Sequence, residues 1–229
     1  MPDGNQQPPR FAVIFDMDGV LADTAVLHCQ SWIDVARELG RSFTAADYEP
    51  MRGLGRDASL RRFLGSDFCE TPMTERERIK ARKQARFEEL VMALGEKDRL
   101  PGVTRLIDAL RALAIPLAVA SSSRNVQLVL EKLALADSFA AIVSANDVTN
   151  LKPAPDLFLE AARRIRVSPE ECVVVEDAES GVAAGLAAGM RVIGVGPPAR
   201  VGAAHRVVDS LESLAPAEIA SLFVDPRNL

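Results

Sequence analysis

FAVIFDMDGV, residues Phe11–Val20, sets an unbroken apolar run directly against two carboxylates, Asp16 and Asp18. A run that never alternates with polar residues marks a strand buried on both faces, as in a parallel sheet. The same texture returns in PLAVA (Pro116–Ala120), AIVS (Ala141–Ser144), CVVV (Cys172–Val175) and RVIGV (Arg191–Val195). Helix-length patterns separate these runs, at Val103–Leu113, Asn125–Leu135, Ala154–Ile165 and Gly181–Ala188. Strands alternating with such helices predict an α/β fold with a doubly wound parallel sheet.

One interval breaks the rhythm. From Ala25 to Leu100 there is no comparable strand run, and the spacing predicts helices over Ala25–Leu39, Ala45–Met51, Arg56–Leu64 and Glu75–Leu94. So long a strandless stretch reads as an inserted all-helical cap, 25–95, on a catalytic core made of 1–24 and 96–229. Its tethers fall near Asp23–Ala25 and Gly95–Gly102, the second holding glycines and Pro101 suited to a hinge. A polar, proline-bearing tail precedes Phe11.

The chain has 229 residues, 48% of them hydrophobic and 26% charged, enough for a sizeable core and incompatible with global disorder. Its net charge of −5 speaks against a nucleic-acid partner. No apolar run reaches the ~18–20 residues of a membrane span, and the first residues, MPDGNQQPPR, have no hydrophobic signal region. Cys29, Cys69 and Cys172 are odd in number and far apart, which reads as free thiols in a reducing compartment. His28 and His205 cannot by themselves build a zinc site. The expectation is a soluble cytoplasmic protein, active as a monomer, with neither membrane nor nucleic acid as partner.

Ligands of open parallel sheets bind beyond the carboxyl ends of the strands. Asp16 and Asp18 stand there, and a second acidic pair, Glu176–Asp177, follows CVVV directly. Two acidic clusters at neighbouring strand ends repel unless a cation lies between them, and hard oxygen ligands suit Mg²⁺. One carboxylate can also attack as a nucleophile while another moves protons. Ser121, Ser122, Ser123, Arg124 and Asn125 open a helix after PLAVA, a setting for an anion, although a single serine there could be an ordinary cap. Lys152 sits beside Pro153 and Pro155, where a fixed ammonium can neutralise a transferring phosphoryl group. Together these residues point to phosphoryl transfer through an aspartyl-phosphate. The basic run ERERIKARKQAR (Glu75–Arg86) reads either as a solvated helix face or as a face with one cation turned toward the cleft.

FDMDGVLADT (Phe15–Thr24), Ser121, Lys152 within LKPAPD, and VVEDAESG (Val174–Gly181) resemble the four signature motifs of the haloacid dehalogenase superfamily. The resemblance spans essentially the whole chain and implies a Rossmann-like core. It implies Asp16 as nucleophile, Asp18 as general acid/base, and Ser121 with Lys152 as the clamp on the transferred group. Mg²⁺ would be held by Asp16, the backbone carbonyl of Asp18, and Asp177, with Glu176 close by. Within the superfamily the chain looks like the phosphosugar mutases, on the strength of Thr24, His28, Trp32, the stretch MRGLGRDAS (Met51–Ser59) with Gly53 and Arg56, Lys83, and SSSRN (Ser121–Asn125). Arg56 would grip the substrate's distal phosphate, helped by Ser123, Arg124 and Asn125 from the core. His28 and Lys83 would couple substrate binding to cap closure, although His28 could be purely structural and GLGR a flexible turn. Position 178 is alanine where a serine is common. The implied activity interconverts β-glucose 1-phosphate and glucose 6-phosphate, with β-glucose 1,6-bisphosphate as primer. The rivals are a phosphatase for small sugar or polyol phosphates and a non-catalytic phosphosugar-binding protein.

Overall fold

A computed structural model describes residues 11–223; the proline-bearing tail and the last residues of the chain lie outside that range. Six strands, β1 (Ala12–Phe15), β2 (Leu117–Ala120), β3 (Ala141–Val143), β4 (Cys172–Glu176), β5 (Arg191–Val195) and β6 (Arg206–Val208), form one sheet in the order β3-β2-β1-β4-β5-β6. Every neighbouring pair is parallel, and the register sets Ala12 beside Cys172 and Phe15 beside Val175. The chain therefore leaves β1 toward one edge and returns beside it as β4, so the switch in winding direction lies between these two strands. The sixth strand was not expected from the sequence: three residues opening on an arginine, at a sheet edge, carry no buried-strand texture.

Helices α1 (Thr24–Glu38), α2 (Ala45–Tyr48), α3 (Arg56–Leu64) and α4 (Met73–Val91) come between β1 and β2. Then α5 (Val103–Ala112), α6 (Val126–Lys132), α7 (Asp156–Ile165), α8 (Glu179–Ala187), α9 (Pro198–Val201) and α10 (Pro216–Ala220) follow among the described residues. Side chains on β1, β2, β4 and β5 alternate between two cores. Val13, Phe15, Val119 and Val175 meet α5, α6 and α10, whereas Ile14, Ala118, Val174 and Val192 meet α7, α8 and α9. Apolar covering on both faces is the reason these strands read as continuous runs.

The inserted helices close round a cluster of their own. Trp32, Val35, Tyr48, Met51, Leu60, Phe63 and Ile79 are buried together, with Trp32 stacked on Phe63 at 4.6 Å between ring centroids. The far end of α4 behaves differently, since Phe87 and Val91 are buried in the core on the α5 side of the sheet. Two stretches of chain connect the helical layer to the sheet, and they are stitched to each other. Ala22 and Arg99 form an antiparallel bridge, and the Leu100 N–H donates to the Leu21 carbonyl at 3.0 Å. Arg99 then donates to the carbonyls of Leu133 and Ala134 at 2.7 and 3.1 Å, which ties this strap to the end of α6. No helix among the described residues is long and apolar enough to cross a membrane. Cys29, Cys69 and Cys172 are free.

Candidate active site

Asp16 is the first residue beyond β1, and its N–H still donates to the Val175 carbonyl at 2.9 Å, so its place is set by the ladder to β4. The chain then bends away at Gly19, whose φ of +87° disfavours any residue with a Cβ; a Cβ there would also overlap the Asp177 carboxylate. This bend separates the two aspartates. Asp16 faces Lys152 and forms an ion pair with it, whereas Asp18 turns to the other wall. Lys152, from the loop between β3 and α7, also donates to Glu176 Oε1 at 2.8 Å, and the Ala178 N–H donates to Glu176 Oε2 at 2.5 Å. Alanine at 178 thus keeps its backbone tie to the acidic pair.

Asp16, Glu176 and Asp177 are all buried, and each offers an oxygen within 4.8 Å of the others. The Lys152 ammonium faces two of these carboxylates, Asp16 and Glu176. Burial works against the Lys152 ammonium, but Asp16 and Glu176 outweigh it and hold its pKa above the ordinary lysine range. Burial pushes the Asp16 carboxyl well up, with Lys152 opposing. Burial and then Glu176 push Asp177 up to about 7, against Arg200 and Arg52. Those guanidiniums stand 3.8 and 3.6 Å from Asp177 Oδ2. Carboxylates still driven toward protonation beside three cationic side chains lack positive charge. Buried, hard, anionic oxygens at this spacing fit a divalent cation, the kind of ion that enzymes built on this chemistry hold as Mg²⁺.

Asp18 accepts a hydrogen bond from the Thr24 hydroxyl and lies 3.4 Å from Ser121 Oγ. Burial raises its pKa, and the Thr24 bond pulls the other way. His28 Nε2 is 3.7 Å from Asp18 Oδ1, and His28 Nδ1 lies 2.5 Å from Lys83 Nζ. The ring stacks on Phe87 at 3.9 Å and 10°. Burial and Lys83 hold the imidazole pKa well below its ordinary value, so the ring is neutral. With Nδ1 accepting from Lys83, its proton is assigned to Nε2, the nitrogen facing Asp18. Both readings of the basic helix hold in part. Lys80 pairs with Asp57 and Glu77, Arg82 with Glu38 and Arg86 with Asp34, whereas Lys83 alone among these four is buried and faces the cleft.

The cleft between sheet and helical layer is a cavity of about 330 Å³. Asp16, Asp18, Lys152 and Asp177 line its floor, and Trp32, Gly53, Arg56 and Lys83 come from above. Ser123, Arg124 and Asn125 line the side wall, while Thr24, Ser121 and Glu176 stand behind the surface, fully buried. Ser121 Oγ accepts from the Ser123 N–H at 3.0 Å and Ser123 Oγ from the Asn125 N–H at 3.1 Å, which shapes the turn before α6. At this end burial and Arg124 depress the pKa of Arg56. Asp57 and Glu88 oppose that depression only in part, so two cations at one end of the cleft form a site for an anion. Gly53, at φ +70°, lets the upper loop reach the floor; a Cβ there would lie 2.6 Å from Ser180 Oγ and 3.1 Å from the Ala178 methyl.

Around the cleft, Glu49 and Arg200 carry no motif, and Arg52 and Gln84, although inside the quoted stretches MRGLGRDAS and ERERIKARKQAR, were not singled out in the sequence. Gln84 joins Arg56 to Asn125. Glu49 accepts from Arg52 at 2.8 Å and from Arg200 of α9 at 2.9 Å, which links the helical layer to the sheet directly above Asp177. For Gln84 the available signal is its place next to Lys83 on a helix face that meets the core. Arg200 has none, because its partner Glu49 is remote in the chain.

Residues 13–195 match the family model described as haloacid dehalogenase-like hydrolase, and the chain belongs to that family. β-Phosphoglucomutase of Bacillus subtilis is 40% identical over 187 residues, covering 81% of this chain and 83% of that protein. The phosphorylated carbohydrates phosphatase of Thermotoga maritima is 31% identical over 215 residues, covering 92% and 97%. Among solved structures, β-phosphoglucomutase from Clostridium difficile superimposes with a TM-score of 0.88 at 32% identity, over 92% of this chain and 95% of that one. The fold, a parallel six-stranded sheet with helices, is therefore the Rossmann-like core of this family.

Proposed function

We propose that this protein is a Mg²⁺-dependent phosphosugar mutase that interconverts β-D-glucose 1-phosphate and glucose 6-phosphate through an aspartyl-phosphate and β-glucose 1,6-bisphosphate. One observation carries the reading. The cleft has cationic grips at both ends, Lys152 beside Asp16 on the floor and Arg56 with Arg124 at the far end. A sugar bisphosphate that returns either phosphate to the same nucleophile needs both grips; a simple phosphatase needs one.

In this reading Asp16 attacks phosphorus, the new Asp16–phosphorus bond forms as the sugar–oxygen–phosphorus link breaks, and Asp18 gives the departing oxygen its proton. In the next half-reaction Asp18 takes the proton of the attacking sugar hydroxyl. Its raised pKa favours the protonated form that the first half needs. Ser121 and Lys152 hold the transferred group. A divalent ion held by Asp16, Asp177 and the Asp18 carbonyl, with Glu176 close by, would supply positive charge to the phosphoryl oxygens. Segment 25–95 acts as a cap whose closure excludes water, and oriented reactants with effective molarities of ~10⁵–10⁸ M let the sugar outcompete solvent. The protein works as a cytoplasmic monomer on a small phosphosugar, without nucleic acid or membrane.

A second reading, a phosphatase of small sugar or polyol phosphates, is favoured by the likeness to the Thermotoga enzyme. A coupled assay with β-glucose 1-phosphate, Mg²⁺ and bisphosphate primer separates the two. The mutase forms glucose 6-phosphate, and Arg56→Ala lowers its kcat/KM by about 10²-fold, in line with loss of a half-buried charged grip. Primer-independent release of inorganic phosphate from several esters, with little effect of Arg56→Ala, would instead establish the phosphatase.

A further inference from the structure

Gln84 sits on α4 with every hydrogen-bonding group of its amide engaged. Its Oε1 accepts from Arg56 Nη2 at 2.5 Å, and its Nε2 donates to Asn125 Oδ1 at 2.7 Å and to Glu88 Oε1 at 2.5 Å. The network fixes which end is which, because a flipped amide would set N–H against a guanidinium and oxygen against the Glu88 carboxylate. Arg56 belongs to the inserted helices and Asn125 to the sheet side, so this single side chain spans the cleft at its cationic end.

The choice of a neutral amide has a chemical consequence. A carboxylate at this place would pair with Arg56 and cancel the charge that an incoming anion needs. An amide orients the guanidinium without setting a further carboxylate directly against it. Asn125, with its oxygen taken by Gln84, keeps its own N–H groups for another acceptor in the cleft.

We propose that Gln84 is a positioning residue for the distal phosphate, drawing Arg56 and Asn125 into one anion-binding arc that is complete only when the cap meets the core. The proposal rests on the two-grip reading above, which Arg56→Ala tests separately. Gln84→Glu neutralises the arc, and Gln84→Met keeps its shape without its bonds.

In an Asp16→Asn background, which cannot form the aspartyl-phosphate, calorimetry reads the binding of β-glucose 1,6-bisphosphate. Each Gln84 variant is expected to weaken binding at least fivefold. In the active enzyme the same variants are expected to raise KM at least fivefold while kcat changes less than threefold, a split that loosened packing alone would not produce. Weakening by Arg56→Ala together with smaller effects from both Gln84 variants overturns the inference alone. A parent that fails to bind the bisphosphate, or an Arg56→Ala protein that binds it unchanged, overturns the two-grip reading and the inference with it.

Discussion

Lys83 directs its amine to a neutral imidazole, buried beside Phe87 and Trp32 with its nitrogen 4.6 and 5.9 Å from their ring centroids. Burial, with Arg56 adding to it, brings its pKa from 10.5 down to about 7, against the pull of Asp18. Between those values the unfolded chain holds a proton that the folded chain has released, so unfolding free energy rises with pH across that window. One proton sets the slope at no more than about 1.4 kcal/mol per pH unit. Below pH 7 both states are protonated and the folded state carries the full cost of the buried charge. Urea titrations at pH 7, 8 and 9 should therefore show stability increasing in the parent and a flatter profile in Lys83→Met. An unchanged slope in the variant would mean that the amine is charged in the fold throughout.

At the scale of elements, the inserted helices meet the sheet side through the apolar end of α4, where Phe87 and Val91 enter the core, and through small contacts around the cleft. Gly53 lies on Ala178 and Ser180, Gly55 on Leu151, and Arg200 of α9 holds Glu49 just after α2. Arg200 and Glu49 are 25% and 52% exposed, so their pair contributes only about 0.5–1 kcal/mol. In the proposed mutase, Arg200→Ala also removes the contact with Asp177 and should loosen the closed helical layer by at least that amount, raising the inorganic phosphate formed per glucose 6-phosphate about twofold or more. A ratio identical to the parent's would show that this pair does not hold the cap. Strands β1 to β5 were legible in the sequence because a strand covered on both faces has no room for polar residues. The helix expected over Asn125–Leu135 stops at Lys132, because the chain turns at Ala134, whose φ is +49°, and Leu133 and Leu135 pack on the core from outside the helix. Asp16, Lys152, Glu176 and Asp177 could be read as one cluster from strand ends alone. Gln84 and Arg200 could not, because what gives them meaning is a partner brought near only by folding.

For the whole molecule, the surplus of carboxylates at the switch between β1 and β4 offers a divalent ion a site in the folded chain that has no counterpart in the unfolded one. At a hundredfold excess over Kd the ion should add about 2.7 kcal/mol, a rise in Tm of roughly 5–10 °C for a chain of this size. Thermal unfolding with Mg²⁺ and with EDTA reads this difference, and Asp177→Asn should abolish most of it. An equal shift in the variant would place the ion elsewhere. The bridge between Ala22 and Arg99 constrains how such a molecule can move. Two separate threads would let the helical layer wander, tilt and twist in any direction. A joined ribbon whose Arg99 is pinned to the carbonyls of Leu133 and Ala134 would restrict any movement of that layer to something close to a door's swing, bringing the same surfaces back into alignment.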